Sequence, residues 1–225
     1  MSEFDIIKNN HGEILSSIAE AAKAVDRRAS DVTCVAVSKV QPEARIQAAL
    51  DLGVDIFGEN RVQEAQQRWS ETFAAHRGNI ELRLIGSLQT NKAEGAVKLF
   101  DVIETVDREK LVKVLVKAAD KMGRRPRLYL QVNTGEEAQK SGLLPNEVES
   151  FVHMMRSIYE WEPEGLMCIP PQGEAASAHF WLLSNLAKDC GLSQLSMGMS
   201  ADYEIAVKMG ATSVRVGSGL FGARS

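Results

Sequence analysis

The chain repeats one pattern eight times: a short apolar run of strand length, followed in seven cases by a stretch with helical spacing. The runs are rich in Val, Ile and Leu and lie at 32–38, 54–58, 81–86, 101–106, 127–133, 164–169, 194–199 and 212–217. Near-continuous apolar strands are typical of parallel sheets with both faces covered. The alternation therefore predicts an α/β protein built from strand–helix units.

Apolar residues with helical spacing occupy the stretches between these runs. Helices are predicted at 42–52, 62–73, 90–98, 111–122, 145–160, 175–190 and 201–210. Eight strands with crossovers in 225 residues fit a (β/α)8 TIM-type barrel. A doubly wound open sheet is the structural alternative.

The last unit of the repeat is incomplete. After the eighth apolar run only "SGLFGARS" remains, which is too short for a full eighth helix. Residues 3–26 have helical spacing before the first strand, and we predict that this N-terminal helix packs where the eighth is missing, between strands eight and one. No Pro-, Gly- or Ser-rich linker divides the chain, so one domain over residues 1–225 is expected.

Composition and charge exclude several functional classes. The net charge of −4, from 30 acidic and 26 basic residues, argues against nucleic acid as a partner. The apolar runs are far shorter than the roughly 20 residues of a membrane helix, so we expect no membrane span and a cytoplasmic protein. A monomer is also expected, since the barrel leaves no obvious spare apolar face.

The three cysteines and four histidines are scattered along the chain. Cys34, Cys168 and Cys190 stand in apolar surroundings, which suits reduced core thiols. No histidine pairs with Cys, Asp or Glu at ligand spacing, so no metal site is predicted.

In a barrel, reactive groups sit at the carboxyl ends of the strands. The polar residues there are rich in amines and hydroxyls but include no His, no Cys nucleophile and no close carboxylate pair, which disfavours acyl transfer and glycoside hydrolysis. Lys39 ends the first apolar run and Arg215 lies within the eighth. A lone strand-end lysine could equally reach out to water.

The loops "SMGMSAD" and "VGSGLFG" follow strands seven and eight, where such barrels commonly hold a phosphate. Glycine lets backbone N–H groups approach an anion, and Ser200 stands where a helix should begin. The residues alone leave open whether Ser200 binds an anion or only caps a helix.

An amine, a phosphate cradle and an arginine in one closed ring describe a pocket for an aldehyde that carries a phosphate. Pyridoxal 5′-phosphate has both groups. Lys39 would then form a Schiff base with the aldehyde. Arg215 would face the pyridine nitrogen and keep it unprotonated, which suits holding or mild chemistry.

Six motifs over residues 32–224 resemble the pyridoxal phosphate homeostasis protein family: "VAVSKVQP", "FGENRVQEA", "LIGSLQTNK", "QVNTGEEAQKSG", "EGLMCIPP" and "LSMGMSADYEIAVKMGATSVRVGSGLFGAR". The resemblance implies a barrel similar to the alanine racemase N-terminal domain. It also implies a carrier without established turnover that buffers pyridoxal phosphate and supplies it to pyridoxal phosphate-dependent apoenzymes.

By motif position, the resemblance assigns roles to individual residues. It makes Lys39 the Schiff-base lysine and Lys140 a transient second acceptor, and it places Asn60, Ser200, Arg215, Gly217 and Ser218 around the cofactor. The chain departs from the family at Arg61, where Tyr is usual, and at Leu82 and Arg83, where Trp-His is usual. Two alternatives remain: an amino-acid racemase of the alanine racemase type, and a Schiff-base aldolase acting on a phosphosugar.

Overall fold

The computed structural model describes residues 2–222, in which eight parallel strands form one closed barrel. The strands are β1 (Thr33–Val37), β2 (Ile56–Glu59), β3 (Glu81–Leu84), β4 (Val102–Val106), β5 (Arg127–Val132), β6 (Gly165–Cys168), β7 (Gln194–Met199) and β8 (Ser213–Val216). Their order around the barrel is their order along the chain, and β8 pairs with β1. Each strand overlaps a predicted apolar run, so the (β/α)8 barrel is confirmed and the open-sheet alternative is wrong.

Helices cover the outside of the barrel. They are α1 (Glu3–Lys23), α2 (Glu43–Asp51), α3 (Val62–Gln67), α4 (Ala93–Leu99), α5 (Glu109–Met122), α6 (Val148–Ser157), α7 (Ala176–Asp189), α8 (Tyr203–Lys208) and α9 (Ser218–Phe221). A π-helical turn at Arg68–Thr72 extends α3, and short 3-10 turns lie at Ala29–Asp31, Ala74–Asn79, Thr90–Lys92 and Pro145–Glu147. All the predicted helices are present, with their ends moved by a few residues.

One difference from the predicted helices bears on the site: α8 begins at Tyr203 and not near Ser200. Residues 200–202 form a turn, in which the Asp202 carboxylate accepts a hydrogen bond from the backbone N–H of Met199 (2.6 Å). Asp202 is therefore the residue that precedes the helix. The expectation that Ser200 stands at the start of this helix is wrong.

Helix α1 fills the gap left by the short α9. A capping box starts it, because the Ser2 hydroxyl accepts from the Asp5 N–H and the Asp5 carboxylate accepts from the Ser2 N–H. It packs against α2, α8 and α9. The Asn10 amide donates to the Leu220 carbonyl (2.9 Å), and Arg27, just beyond the helix, donates to the carbonyl of Val207 (2.8 Å). The predicted position of the N-terminal helix is confirmed.

The main apolar core lies between the strands and the surrounding helices. Its largest fully buried side chain is Trp69, whose ring centroid lies 4.8 Å from that of Phe57 and 5.6 Å from that of Phe73. No helix within residues 2–222 is both long and apolar enough to cross a bilayer. The same residues contain no cluster of His, Cys, Asp and Glu able to hold a metal ion.

Truncation of buried and exposed residues on α1 tests whether this helix is part of the barrel. Ile18 is 2% exposed, whereas Leu15 on the same helix is 46% exposed. We expect Ile18→Ala to lower the free energy of unfolding by about 2–5 kcal/mol, since it leaves a cavity in the core. Leu15→Ala should change it by less than about 0.5 kcal/mol. Urea denaturation measures both; equal effects would mean that α1 is not docked.

Candidate functional site

A cavity of about 280 Å³ lies at the carboxyl end of the barrel. It is lined by Lys39, Asn60, Ser200, Arg215, Gly217 and Ser218, together with Val37, Ile85, Ile169, Met199 and Ala201. A few polar groups set among apolar side chains are typical of a small-molecule site. Barrel closure thus brings all six sequence-predicted residues together. A larger cavity, about 620 Å³, lies outside the barrel near α3 and α4 and contains none of them.

Lys39 stands in a tightly held turn directly after β1. The backbone N–H of Ser38 donates to the carbonyl of Gly58 (3.0 Å), and that of Gln41 donates to the carbonyl of Ser38 (3.2 Å). Between them Val40 has a φ of +58°, in the left-handed region that β-branched residues rarely adopt. Backbone strain is therefore stored beside the lysine, in a residue whose own side chain is 66% exposed.

A buried carboxylate ties together the strand ends beneath Lys39. Glu59, at the end of β2, is fully buried. Its Oε1 accepts hydrogen bonds from Ser38 Oγ (2.7 Å), Arg68 (2.6 Å) and Trp69 Nε1 (3.2 Å). The bonds join β1, β2 and the π-helical turn, so they fix the base of the Lys39 turn. The sequence shows Glu59 within the motif "FGEN", after the second apolar run, but nothing in its neighbourhood along the chain indicates this role.

Asn60 is held in place by a glycine of the neighbouring loop. A Cβ at Gly86 would lie 2.3 Å from the Asn60 carbonyl oxygen, so only glycine allows the two backbones to approach this closely. The Asn60 side-chain oxygen is buried and has no hydrogen-bond partner within residues 2–222. Because such an acceptor is costly to leave unpaired, it marks a place where a ligand could donate a hydrogen bond.

The loops after β7 and β8 meet at Ser200. Its hydroxyl oxygen accepts a hydrogen bond from the backbone N–H of Gly219 (3.2 Å), which leaves the hydroxyl proton free to be donated. Within the described chain, the backbone N–H groups of Gly217 and Ser218 make no hydrogen bond to another backbone group. This part of the cavity therefore offers several donors close together, as an anion requires.

Gly198 gives β7 the bend that carries the Ser200 turn. Its φ is +92°, and a Cβ there would lie 2.5 Å from the Cβ of Ala206 on α8. The pairing of β7 with β8 shifts register between Ser196 and Met199 at the same place. No other residue type fits both the backbone conformation and the close helix.

Arg215 enters the cavity from β8 and is only 4% exposed. It donates to Ser196 Oγ (2.6 Å) on β7 and to the Cys168 carbonyl (2.8 Å) on β6. Ser196 Oγ in turn donates to Glu104 Oε2 (2.6 Å) on β4, across the barrel. Glu104 Oε1 accepts from Arg83 (3.1 Å) on β3. We call Arg83, Glu104, Ser196 and Arg215 the interior network.

Charges alternate from the interior network down to the amino end of the barrel. Arg83 pairs with Glu81 (2.5 Å), Glu81 with Arg127, and Arg127 with Glu164 (3.3 Å). Burial alone would lower the pKa of Arg83, but Glu104 and Glu81 more than reverse this, so its pKa is raised. Burial raises the pKa of Glu81, yet Arg83 and Arg127 bring it below its usual value. Arg83 and Glu81 are therefore charged at neutral pH.

Glu104 and Ser196 belong to the interior network, but the sequence analysis assigns neither of them a role. The available signal was the acidic residue in the middle of the apolar run "DVIETV". Both Glu104 and Ser196 are fully buried. A buried charge in a strand requires a partner, and only the folded barrel identifies Arg83 and Arg215 as that partner.

The other residues that the sequence analysis singled out lie outside this cavity. Lys140 is in the loop after β5 and forms an ion pair with Glu137 (2.5 Å). Arg61 is exposed, pairs with Glu64 (3.0 Å), and lines a neighbouring cavity of about 440 Å³ that shares Asn60. Leu82 belongs to the outer apolar core, whereas Arg83 points into the barrel. The end of the last family motif, beyond residue 222, lies outside the described residues.

Comparison with known proteins gives concordant results. Residues 14–225 match the model of the alanine racemase N-terminal domain family. A pyridoxal phosphate homeostasis protein of Pseudomonas aeruginosa is 37% identical over 97% of this chain and 96% of its own length. PipY of Synechococcus elongatus is 37% identical, with a TM-score of 0.79 over 91% of this chain and 100% of its own.

PipY has also been solved with pyridoxal phosphate bound, and that structure has a TM-score of 0.77. An alanine racemase of Clostridium difficile is 15% identical, with a TM-score of 0.70 over 96% of this chain but 56% of its own. This last likeness concerns the fold alone.

Relief of the strain at Val40 should stabilise the protein. Val40→Gly removes the left-handed penalty of a β-branched residue and loses little packing, so we expect a gain of about 0.5–1.5 kcal/mol in the free energy of unfolding. Gly123 has a φ of +62° and open space around it. Gly123→Ala places a side chain on a residue with a left-handed backbone, so it should lower the free energy of unfolding by about 1 kcal/mol. Thermal and urea unfolding test both; destabilisation by Val40→Gly would contradict the assigned strain.

Proposed function

This chain belongs to the pyridoxal phosphate homeostasis protein family, within the alanine racemase N-terminal domain family, and we propose that it binds pyridoxal 5′-phosphate as a carrier. The observation that carries the proposal is one cavity lined by Lys39, Arg215 and the Ser200 and Gly217–Ser218 loops. An amine, a fixed cation and an anion cradle suit an aldehyde-bearing pyridine with a phosphate.

The residues of the cavity fit this group on their own chemistry. The unpaired oxygen of Asn60 offers a buried acceptor, and the N–H groups of Gly217 and Ser218 offer donors. When bound, pyridoxal phosphate supplies an electrophilic aldehyde and a phosphate. Every polar group that lines the cavity has a complementary atom on such a molecule.

Lys39 is the residue proposed to hold the cofactor covalently. Its amine would hold the group through a Schiff base with the aldehyde, formed with loss of one water. Lys39 is half-buried and lines the cavity, so its amine lies beside the space that the aldehyde would occupy. The bond is reversible by addition of water, so Lys39 can both retain and release the aldehyde.

Arg215 faces the ring end of the cavity. Its guanidinium only donates hydrogen bonds and stays charged, so it would leave the pyridine nitrogen as an acceptor without a proton. An unprotonated ring is a weak electron sink. This supports holding rather than amino-acid turnover, and we propose that the protein is not an enzyme.

Ser200, Gly217 and Ser218 are proposed to bind the phosphate. Because Ser200 Oγ already accepts from Gly219, its proton is available to a phosphate oxygen. The two backbone N–H groups add donors from β8's loop. Donors held by the backbone need little reorganisation when an anion arrives.

The carrier is further proposed to be a monomeric single domain over residues 1–225 that acts in the cytoplasm. Burial raises the pKa of Cys34 and of Cys168 to about 12, which keeps both thiols protonated and suits a reducing compartment. Recipients of the cofactor are proposed to be pyridoxal phosphate-dependent apoenzymes. Neither nucleic acid nor a membrane is a proposed partner. Lys140, paired with Glu137, is proposed only as a second, transient acceptor.

Borohydride reduction tests the covalent role of Lys39. Reduction of the loaded protein should fix the cofactor mass on the peptide that contains Lys39, as read by mass spectrometry. Lys39→Ala should lose this label and the visible absorbance, while Lys140→Ala, the matched control, should keep both. A wild-type label only on peptides without Lys39 would refute the proposal, and a colourless loaded protein would favour the aldolase alternative.

Comparison of pyridoxal phosphate with pyridoxal tests the phosphate role of Ser200. We expect Ser200→Ala to weaken binding of pyridoxal phosphate about tenfold, since one hydrogen bond to a charged group is lost. Binding of pyridoxal, which lacks the phosphate, should be unchanged. Ser193→Ala on the exposed surface is the control and should alter neither affinity. Equal losses for both ligands would place Ser200 away from the phosphate.

A further inference from the structure

The barrel interior contains a buried, charged connection to Arg215 that crosses from one wall to the other. Glu104 lies on β4 and Ser196 on β7, and these two strands are not neighbours in the barrel. Even so, Ser196 Oγ donates a hydrogen bond to Glu104 Oε2 at 2.6 Å. Glu104 Oε2 is also 3.9 Å from the Arg215 guanidinium. Interiors of such barrels are usually filled by Val, Ile and Leu, so this polar crossing is unusual.

We propose that Glu104 is a positioning residue for Arg215, which it acts on through the Ser196 hydroxyl. The inference rests on the proposed function, because Arg215 is the group that faces the pyridine nitrogen. Glu104 is not among the residues that line the cavity. Its role is to fix the direction of the guanidinium, and hence the strength of the hydrogen bond that Arg215 gives to the ring.

Ser196 can accept from Arg215 only if its own proton points elsewhere. A hydroxyl has one proton, and Ser196 donates it in a hydrogen bond to the Glu104 carboxylate. The lone pairs of the Ser196 oxygen are therefore directed toward Arg215. The second anchor of Arg215 is the Cys168 carbonyl at 2.8 Å. The two acceptors use one N–H from each terminal nitrogen and fix the plane of the guanidinium, which also lines the cavity.

Arg83 bonds only one of the two carboxylate oxygens of Glu104. It donates to Oε1 at 3.1 Å and to Ser213 Oγ at 3.0 Å, so Oε1 is occupied and Oε2 is left for Ser196. The ion pair with Arg83 therefore holds the Glu104 side chain in one orientation within the barrel interior.

Two single variants, their double variant and one control variant separate this role from simple filling of the barrel. Ser196→Ala removes the bridging hydroxyl and leaves every charge in place, and Glu104→Gln removes the charge with the shape kept. Each should weaken binding of pyridoxal phosphate about tenfold. The double variant should also be about tenfold weaker, not a hundredfold, because both changes break one connection. Glu164→Gln is the control: it makes the same charge change at the amino end of the barrel, in the ion pair with Arg127. It should leave the affinity for pyridoxal phosphate unchanged.

The ring nitrogen itself provides a readout that a purely structural role would not move. With cofactor labelled with nitrogen-15 in the ring, the nitrogen resonance of the bound molecule reports its hydrogen bond to Arg215. It should shift in the same direction in Ser196→Ala and Glu104→Gln, and not in Glu164→Gln. The label on Lys39 after borohydride reduction should remain in all three variants.

The experiments can refute the proposed function and the positioning role of Glu104 separately. If reduction of the wild type labels no Lys39, the proposed function fails. If Lys39 is labelled but the resonance and affinity of Ser196→Ala match those of the wild type, only the positioning role fails. Additive losses in the double variant also overturn it. If Glu104→Gln yields no folded protein by circular dichroism, Ser196→Ala alone decides, since it alters no charge.

Discussion

The pairing of β1 with β8 is the interaction on which the site depends. In that register Val35 lies beside Arg215 and Ala36 beside Val216, so two segments from opposite ends of the chain share one ladder. Lys39 and the Gly217–Ser218 loop continue directly from these strands. Without closure they would stand at the two far edges of an open sheet. Helix α1 supports the same junction from outside, since it packs on both α2 and α8.

The interior of the barrel combines two requirements that usually conflict. A closed barrel of this size must be filled, and filling with charge is costly unless each charge is paired. Here Arg83, Glu104 and Arg215 occupy the interior with exposures of 4%, 0% and 4%. Alternating sign and shared hydroxyls at Ser196 and Ser213 satisfy them. One of these groups, Arg215, also lines the cavity, so the filling of the barrel and the site share a residue.

The turn around Lys39 shows how rigid support and local strain coincide. Glu59 ties Ser38 to Arg68 and Trp69, which are set in the outer core, while Val40 takes a left-handed conformation on the surface. A strained residue persists only where its neighbours determine the backbone. The lysine therefore extends from a fixed base, which favours one direction of approach to an aldehyde.

Sequence by itself determined the eight-unit barrel, the position of α1 and the strand-end residues that line the cavity, because apolar periodicity and loop chemistry are local properties. It gave Ser200 the wrong place relative to α8, since the bend at Gly198 depends on the closeness of Ala206. It also passed over Glu104, whose partners on β3, β7 and β8 are distant in the chain. Only the tertiary structure decided these points, because a charge inside a barrel is explained by the opposite wall and not by its neighbours in sequence.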